Sequence, residues 1–271
     1  MTSEDASSLL AGAFAARATG SRVDYRILLP AHARPGERLP LILHLHGAMS
    51  SAARSLEAAR PIYEAAWSRG ELPRAVVACA TTPTVGGFYI DQADGPRWET
   101  LVASEFPEVV ARRLDVGDVR AVIGSSMGGY GALKLAFREP ERYVAVAALC
   151  PAIFPAEAAA DVPERNRPSV LGDLHRAMGE DEATYRSNSV HGILRANLDR
   201  IRAAGLGVYV DCGDADEFGL HDGALFLHRL LTECAVPHEF HSVVGAGHAD
   251  AAASRRLADA VAFVGQRIAA R

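Results

Sequence analysis

The sequence predicts one α/β domain: a mostly parallel central sheet, helices on both faces, and a short insertion over the edge that carries the reactive loops. Three observations predict it. Strand-like and helix-like segments alternate along most of the chain, several strand candidates are continuous apolar runs of the kind buried on both faces, and a glycine-flanked serine follows one such run and opens a helix. With 271 residues, 49% hydrophobic and 23% charged, the chain can fill one large core and is too apolar for general disorder. Lys and Arg number 28 against 33 Asp and Glu, for a net charge of -5. Nucleic acid and an anionic membrane are therefore not expected partners.

The first strand is expected over 22–29, and the apolar run LPLILHL gives a second over 39–45. A helix follows over 52–67, then strand 74–80 (RAVVACA), a Pro- and Gly-containing loop, and a helix over 97–114. The central strand is read at 120–123, with a helix over 127–137 that ends before Pro140. Strands 143–149, 207–210 and 239–244 come next, and apolar positions at helical spacing over 249–268 predict a closing helix packed across the sheet. Residues 151–202 are irregular, with Pro151, Pro155, Pro163 and Pro168 ahead of helical pieces at 171–178 and 183–198. They read as a lid or pocket insertion within a single domain over 1–271. The N-terminal apolar patch follows Glu4 and Asp5 rather than a basic segment, which argues against a signal peptide. No stretch reaches the roughly 18 apolar residues of a membrane span. A cytoplasmic location is expected. Cys79, Cys150, Cys212 and Cys234 lack C-x-x-C spacing, so buried free thiols are expected.

In such a sheet the chemistry belongs on loops at the strands' C-terminal ends. Gly124-Ser125-Ser126-Met127-Gly128 fits G-x-S-x-G between a strand and a helix, where a sharp turn lifts the middle side chain into solvent. Ser126 is the expected nucleophile, since the flanking spacing does not suit Ser125. A serine needs a base, and this motif is followed in chain order by an acid and a histidine. After the strand at 207–210 the turn DCGDADEF offers Asp216 as the acid, with Asp214 and Glu217 as alternatives; GAGHA after the last strand offers His248 as the base. The NH groups of Ala48, in His46-Gly47-Ala48, and of Met127 are the expected oxyanion donors. Phe88, Tyr89 and Trp98 are candidate substrate contacts. His44 and His46, two apart on one strand, should share a face, but no third ligand sits at metal-site spacing, so no metal is expected.

GSSMGGYGALKLAFREPERYVAVAALCPA (124–152) and GGFYIDQADGPRWETLVASEFPEVV (86–110), with LHLHGA, CGDADEF and GAGHA, resemble the esterase D group of α/β-hydrolases. That group includes S-formylglutathione hydrolases and is related to enterochelin-type esterases and mycolyltransferases. The resemblance covers most of residues 40–250. It implies an α/β-hydrolase fold, Ser126, Asp216 and His248 as a triad, and Ala48 and Met127 as oxyanion donors, agreeing with the reading of the residues themselves. The chain departs from the formylglutathione hydrolases in GAMSSAARS, which lacks the cysteine they carry after the oxyanion-loop glycine, and in HADAAASRR, which has no aromatic after the histidine. The expected function is hydrolysis of a small-molecule carboxylic ester or thioester through an acyl-enzyme, with no cofactor. Acyl transfer by the same triad and a non-catalytic binding protein on this fold are the rivals, and a homodimer is compatible with all of them.

Overall fold

The structure, a computed structural model, describes residues 7–32, 36–179 and 181–271. Glu4 and Asp5, on which the reading of the N-terminus rests, lie outside them. The strands are β1 (Ser8–Ala16), β2 (Ser21–Leu29), β3 (Leu39–Leu45), β4 (Val76–Ala80), β5 (Val116–Ser125), β6 (Ala145–Leu149), β7 (Gly207–Gly213) and β8 (Glu239–Val243). They form an eight-stranded sheet in the order β1-β2-β4-β3-β5-β6-β7-β8. β2 runs antiparallel to β1 and β4, and every pairing from β4 to β8 is parallel. The apolar run of β3 explains its central place. Leu41, Leu43 and Leu45 enter the core on one face with Val76 and Ala78, while Ile42 enters the core on the other with Val77 and Cys79.

The helices are α1 (Ala52–Ser68), α2 (Trp98–Thr100), α3 (Phe106–Arg113), α4 (Met127–Arg138), α5 (Val170–Ala177), α6 (Glu182–Asn188), α7 (Val190–Ala196), α8 (Leu198–Ala204), α9 (Leu220–Glu233) and α10 (Ala253–Ala269). Leu56 and Tyr63 of α1 join Val261 and Val264 of α10 on one face of the sheet. Phe106 of α3, Leu133 of α4 and Leu227 of α9 pack on the other. Of the insertion, α7 lies along α4, where the buried Tyr130 hydroxyl donates to the Asn188 carbonyl at 2.8 Å. Its turn Glu164–Asn166 reaches the loop edge, with Asn166 Nδ2 donating to Gly219 O at 3.1 Å.

Several boundaries differ from the sequence reading, each for a local reason. Residues 8–16, read only as an apolar patch, form edge strand β1, whose small residues and half-exposed pattern carry little periodicity. Helix 97–114 is interrupted by a wider π turn at Leu101–Glu105. Glu105 ends that turn, and its carboxylate accepts the NH groups of Arg17 and Ala18, both at 2.8 Å, at the β1–β2 connection. The central strand runs from Val116 to Ser125 rather than 120–123. The last helix starts at Ala253 because Asp250 ties the preceding turn, accepting the NH of Gly247 at 2.7 Å and of Ala252 at 2.9 Å. α9 follows the acidic turn and is buried through Leu220, Leu227 and Leu231.

Candidate active site

Ser126 closes β5 onto α4 with φ 58° and ψ -119°, a left-handed conformation that side chains rarely adopt. The surroundings enforce it. Ser126 N donates to Leu149 O at 2.8 Å, and the Ser126 carbonyl accepts the NH groups of Tyr130 and Ala152, both at 3.0 Å. A Cβ on Gly124 would stand 2.0 Å from Gly128 O, and one on Gly128 would stand 2.0 Å from Leu45 O. Both flanking positions must be glycine for the turn to close.

The second wall comes from the end of β3. A Cβ on Gly47 would lie 3.5 Å from Ser126 Cβ, so the Gly47–Ala48 backbone passes directly beside the serine. Among the described residues, no acceptor takes the NH of Ala48 or of Met127. The positive end of the α4 dipole adds to the field at Met127 N. His46 fixes this wall. Its Nε2 accepts the Thr82 NH at 2.9 Å and its Nδ1 pairs with Gly47 O at 2.8 Å, a pattern that requires the neutral ring with its proton on Nδ1. Burial lowers its pKa in the same sense, against the Gly47 carbonyl.

His44 turns the other way, pairing with Tyr63 Oη and Ser55 Oγ, each at 3.0 Å. The expectation that both rings share a face fails because β3 ends at Leu45, so the two-residue alternation stops before His46. All four ring nitrogens have protein partners. Phe88, Tyr89 and Trp98, expected as substrate contacts, lie instead in the core at 2%, 0% and 7% exposure. The Tyr89 hydroxyl donates to His46 O at 3.0 Å, and its ring packs where a Cβ on Gly131 would stand only 2.6 Å away.

Three carboxylates compete for the histidine, and the backbone sorts them. Asp216 Oδ2 meets His248 Nδ1 at 2.7 Å, while Oδ1 accepts the NH groups of Phe218 at 3.0 Å and Leu220 at 3.4 Å. Burial would raise the Asp216 pKa, but the bonds from His248, Leu220 and Phe218 outweigh it and hold the carboxyl below its usual range. Glu217 Oε2 instead accepts the His248 backbone NH at 2.7 Å, and Asp214 Oδ1 accepts the Gly245 NH at 2.7 Å. These two residues pin the histidine loop to the acid loop, a role the sequence reading did not assign them. For His248 burial lowers the pKa, but the carboxylate of Asp216 and the sulfur of Cys150 prevail and raise it to about 9. His248 and Ser125 line one cavity of about 320 Å³ between α1 and α10. The sulfurs of Cys150 and Cys212 and a carboxylate oxygen of Asp216 lie within 4.8 Å of one another.

A serine on a strained strand-to-helix turn of a mostly parallel sheet, followed in chain order by an Asp–His pair on later loops, defines an α/β-hydrolase. Solved structures share the fold. A ferulic acid esterase superposes with a TM-score of 0.79 at 22% identity, covering 96% of this chain and 98% of its own. An S-formylglutathione hydrolase from Agrobacterium tumefaciens superposes at 0.78 and 19% identity, covering 99% of this chain and 98% of its own. Residues 16–252 match the family described as "Putative esterase", and the chain belongs to that family. An S-formylglutathione hydrolase of Paracoccus denitrificans (strain Pd 1222) is 32% identical over 188 residues, which span 62% of this chain and 65% of that protein's length.

Proposed function

We propose that the chain hydrolyses a small-molecule carboxylic ester or thioester through an acyl-enzyme. The carrying observation is the Ser126 backbone, held left-handed at the head of α4 between two positions that admit only glycine. Ser126 Oγ attacks the carbonyl carbon as His248 takes its proton; Asp216 keeps the imidazole oriented and stabilises the imidazolium. Ala48 NH and Met127 NH receive the developing oxyanion. His248 then protonates the leaving alcohol or thiol, and water repeats the sequence to release the acid. The name of the Paracoccus relative and that of the ferulic acid esterase support the ester and thioester classes. The insertion, held against Gly219 beside the acid loop through Asn166, is the part of the chain this reading assigns to the substrate side.

The test is a fluorophosphonate probe with wild type and Ser126→Ala, the adduct located by mass, alongside turnover of short-chain p-nitrophenyl and thioester substrates. Labelling of Ser126 and hydrolysis should vanish together in the variant. A wild-type protein that neither labels nor turns over would leave the fold as a binding scaffold.

A further inference from the structure

β6 and β7 are paired in parallel with Leu149 opposite Asp211, and the residues that follow, Cys150 just beyond β6 and Cys212 within β7, bring their sulfurs together at the sheet's C-terminal end. Cys150 N donates to Asp211 O at 2.8 Å, which locks that register. The two sulfurs and an Asp216 carboxylate oxygen lie within 4.8 Å of one another, and Cys212 Sγ is 3.9 Å from Asp216 Oδ2. Arg256, buried and paired with Asp211 at 2.7 Å, directs Nη2 onto Cys150 Sγ. Cys150 Sγ also lies 4.0 Å from the His248 carbonyl. A thiol beside a buried guanidinium, with a second thiol as donor, favours the thiolate. The hydrogen bond from Cys212, aided by His248 and Arg256, outweighs burial and lowers the Cys150 pKa, while that of Cys212 is raised.

We propose that Cys150 and Cys212 are a peroxide-sensitive thiol pair that closes to a disulfide beneath Asp216 and His248 and so changes the charge that His248 faces. The Cys150 thiolate attacks one oxygen of hydrogen peroxide. The O–O bond breaks, giving Cys150 sulfenic acid and hydroxide, and the hydroxide takes a proton from imidazolium to become water. The Cys212 thiol then attacks the sulfenic sulfur; the S–O bond breaks and the oxygen leaves as water with the Cys212 proton. The two sulfurs supply the two electrons that reduce the peroxide. Cys150 follows β6 with φ 39° and Cys212 lies within β7, and their sulfurs already stand within 4.8 Å of one another. The cavity lined by Leu149, His248 and Arg256 comes up to the residue before Cys150 and to two neighbours of its buried sulfur.

The consequence for catalysis rests on the reading of His248 as the base. Its surroundings are Asp216 and Glu217 on the acid loop, Cys150 just after β6, Arg256 and Asp250 beside its own loop, and, across the cavity, His44 of β3 and Arg54 of α1. Closing the disulfide removes one anion from this set. Asp216 remains, so the acidic limb of the pH–rate profile should move down by about one pH unit.

The experiment treats native wild type and Ser126→Ala with hydrogen peroxide, blocks free thiols, and maps cross-linked peptides by mass. A Cys150–Cys212 cross-link should form in both, be reversed by dithiothreitol, and be absent from Cys150→Ser and Cys212→Ser. The wild-type pH–rate profile should move as stated. Free thiols throughout, oxidation of Cys150 to sulfinic acid without a cross-link, or a cross-link that leaves the profile in place would overturn the proposal. A cross-link in a protein that hydrolyses nothing at any pH would support the thiol pair and remove the esterase reading instead.

Discussion

In the proposed mechanism the proton on His248 sets the pH range of turnover. Burial disfavours the imidazolium, yet Asp216 and Cys150 together favour it and raise the pKa to about 9. A base that holds its proton at neutral pH gives a kcat/KM that climbs with pH and levels off above about 9. Replacing Asp216 with Asn removes the larger anionic influence, so the limb should move to lower pH while kcat falls by roughly 10⁴-fold through lost orientation. A pH–rate profile of each protein with a p-nitrophenyl ester checks both; a limb that moves upward would contradict the sign. The glycines around Ser126 make a second residue-scale prediction. A methyl on Gly128 meets backbone oxygen at 2.0 Å, where no rotamer can relieve it, so Gly128→Ala should cost about 3 kcal/mol in denaturant unfolding. Gly47→Ala, whose nearest contact would be 3.4 Å, should remain folded and serves as the comparison.

Elements place these residues more than the residues place themselves. The histidine loop has no regular structure of its own, and the acid loop supplies its frame through Asp214 to Gly245, Glu217 to His248 and the close passage of Gly213 against Ala246 O. Arg256 of α10 adds a bond to Gly247 O at 3.1 Å. Glu217→Ala should therefore lower kcat by roughly ten- to a hundredfold with little change in KM, because the imidazole is displaced and no binding group is removed. Glu217→Gln keeps an acceptor oxygen and should recover most of the rate; steady-state kinetics on both variants decides it. The same elements show how far the sequence could be read. The elbow, the parallel strands and the loops bearing Asp216 and His248 were legible because glycine spacing, chain order and continuous apolar runs encode them locally. β1 was not, since SLLAGAFAA lacks alternation and its partner is supplied from outside the segment. Nor was the burial of Phe88 and Tyr89, which depends on contacts such as Gly131, distant in sequence. Glu217 and Asp214 looked like rival acids because only the folded loops reveal which carboxylate meets the ring and which meet backbone NH groups.

At the scale of the whole molecule, the only lysine of the chain joins parts that the sequence separates. Lys134 is fully buried on α4, where its Nζ reaches Glu99 Oε2 at 3.0 Å, Asn188 Oδ1 at 2.9 Å and Tyr89 O at 3.1 Å. One ammonium thus ties the loop before α2, α2 itself and the insertion to the helix headed by Ser126. Burial lowers its pKa and Glu99 opposes that shift, so the charge survives only because the three acceptors converge. Lys134→Met leaves Glu99 with Arg138 at 2.5 Å but orphans the buried oxygens of Tyr89 and Asn188. Its expected cost is about 3 kcal/mol. The double variant Lys134→Met with Glu99→Gln removes both members of the buried ion pair together, so it should lose less than the sum of the single variants. Chemical denaturation of the four proteins measures the coupling, and strict additivity would mean that Lys134 and Glu99 stabilise the fold independently. Ser126 lies eight positions before this lysine on α4. Losses in fluorophosphonate labelling rate should consequently follow the losses in stability, because the ammonium that joins the insertion to the sheet also holds the helix that carries the proposed nucleophile.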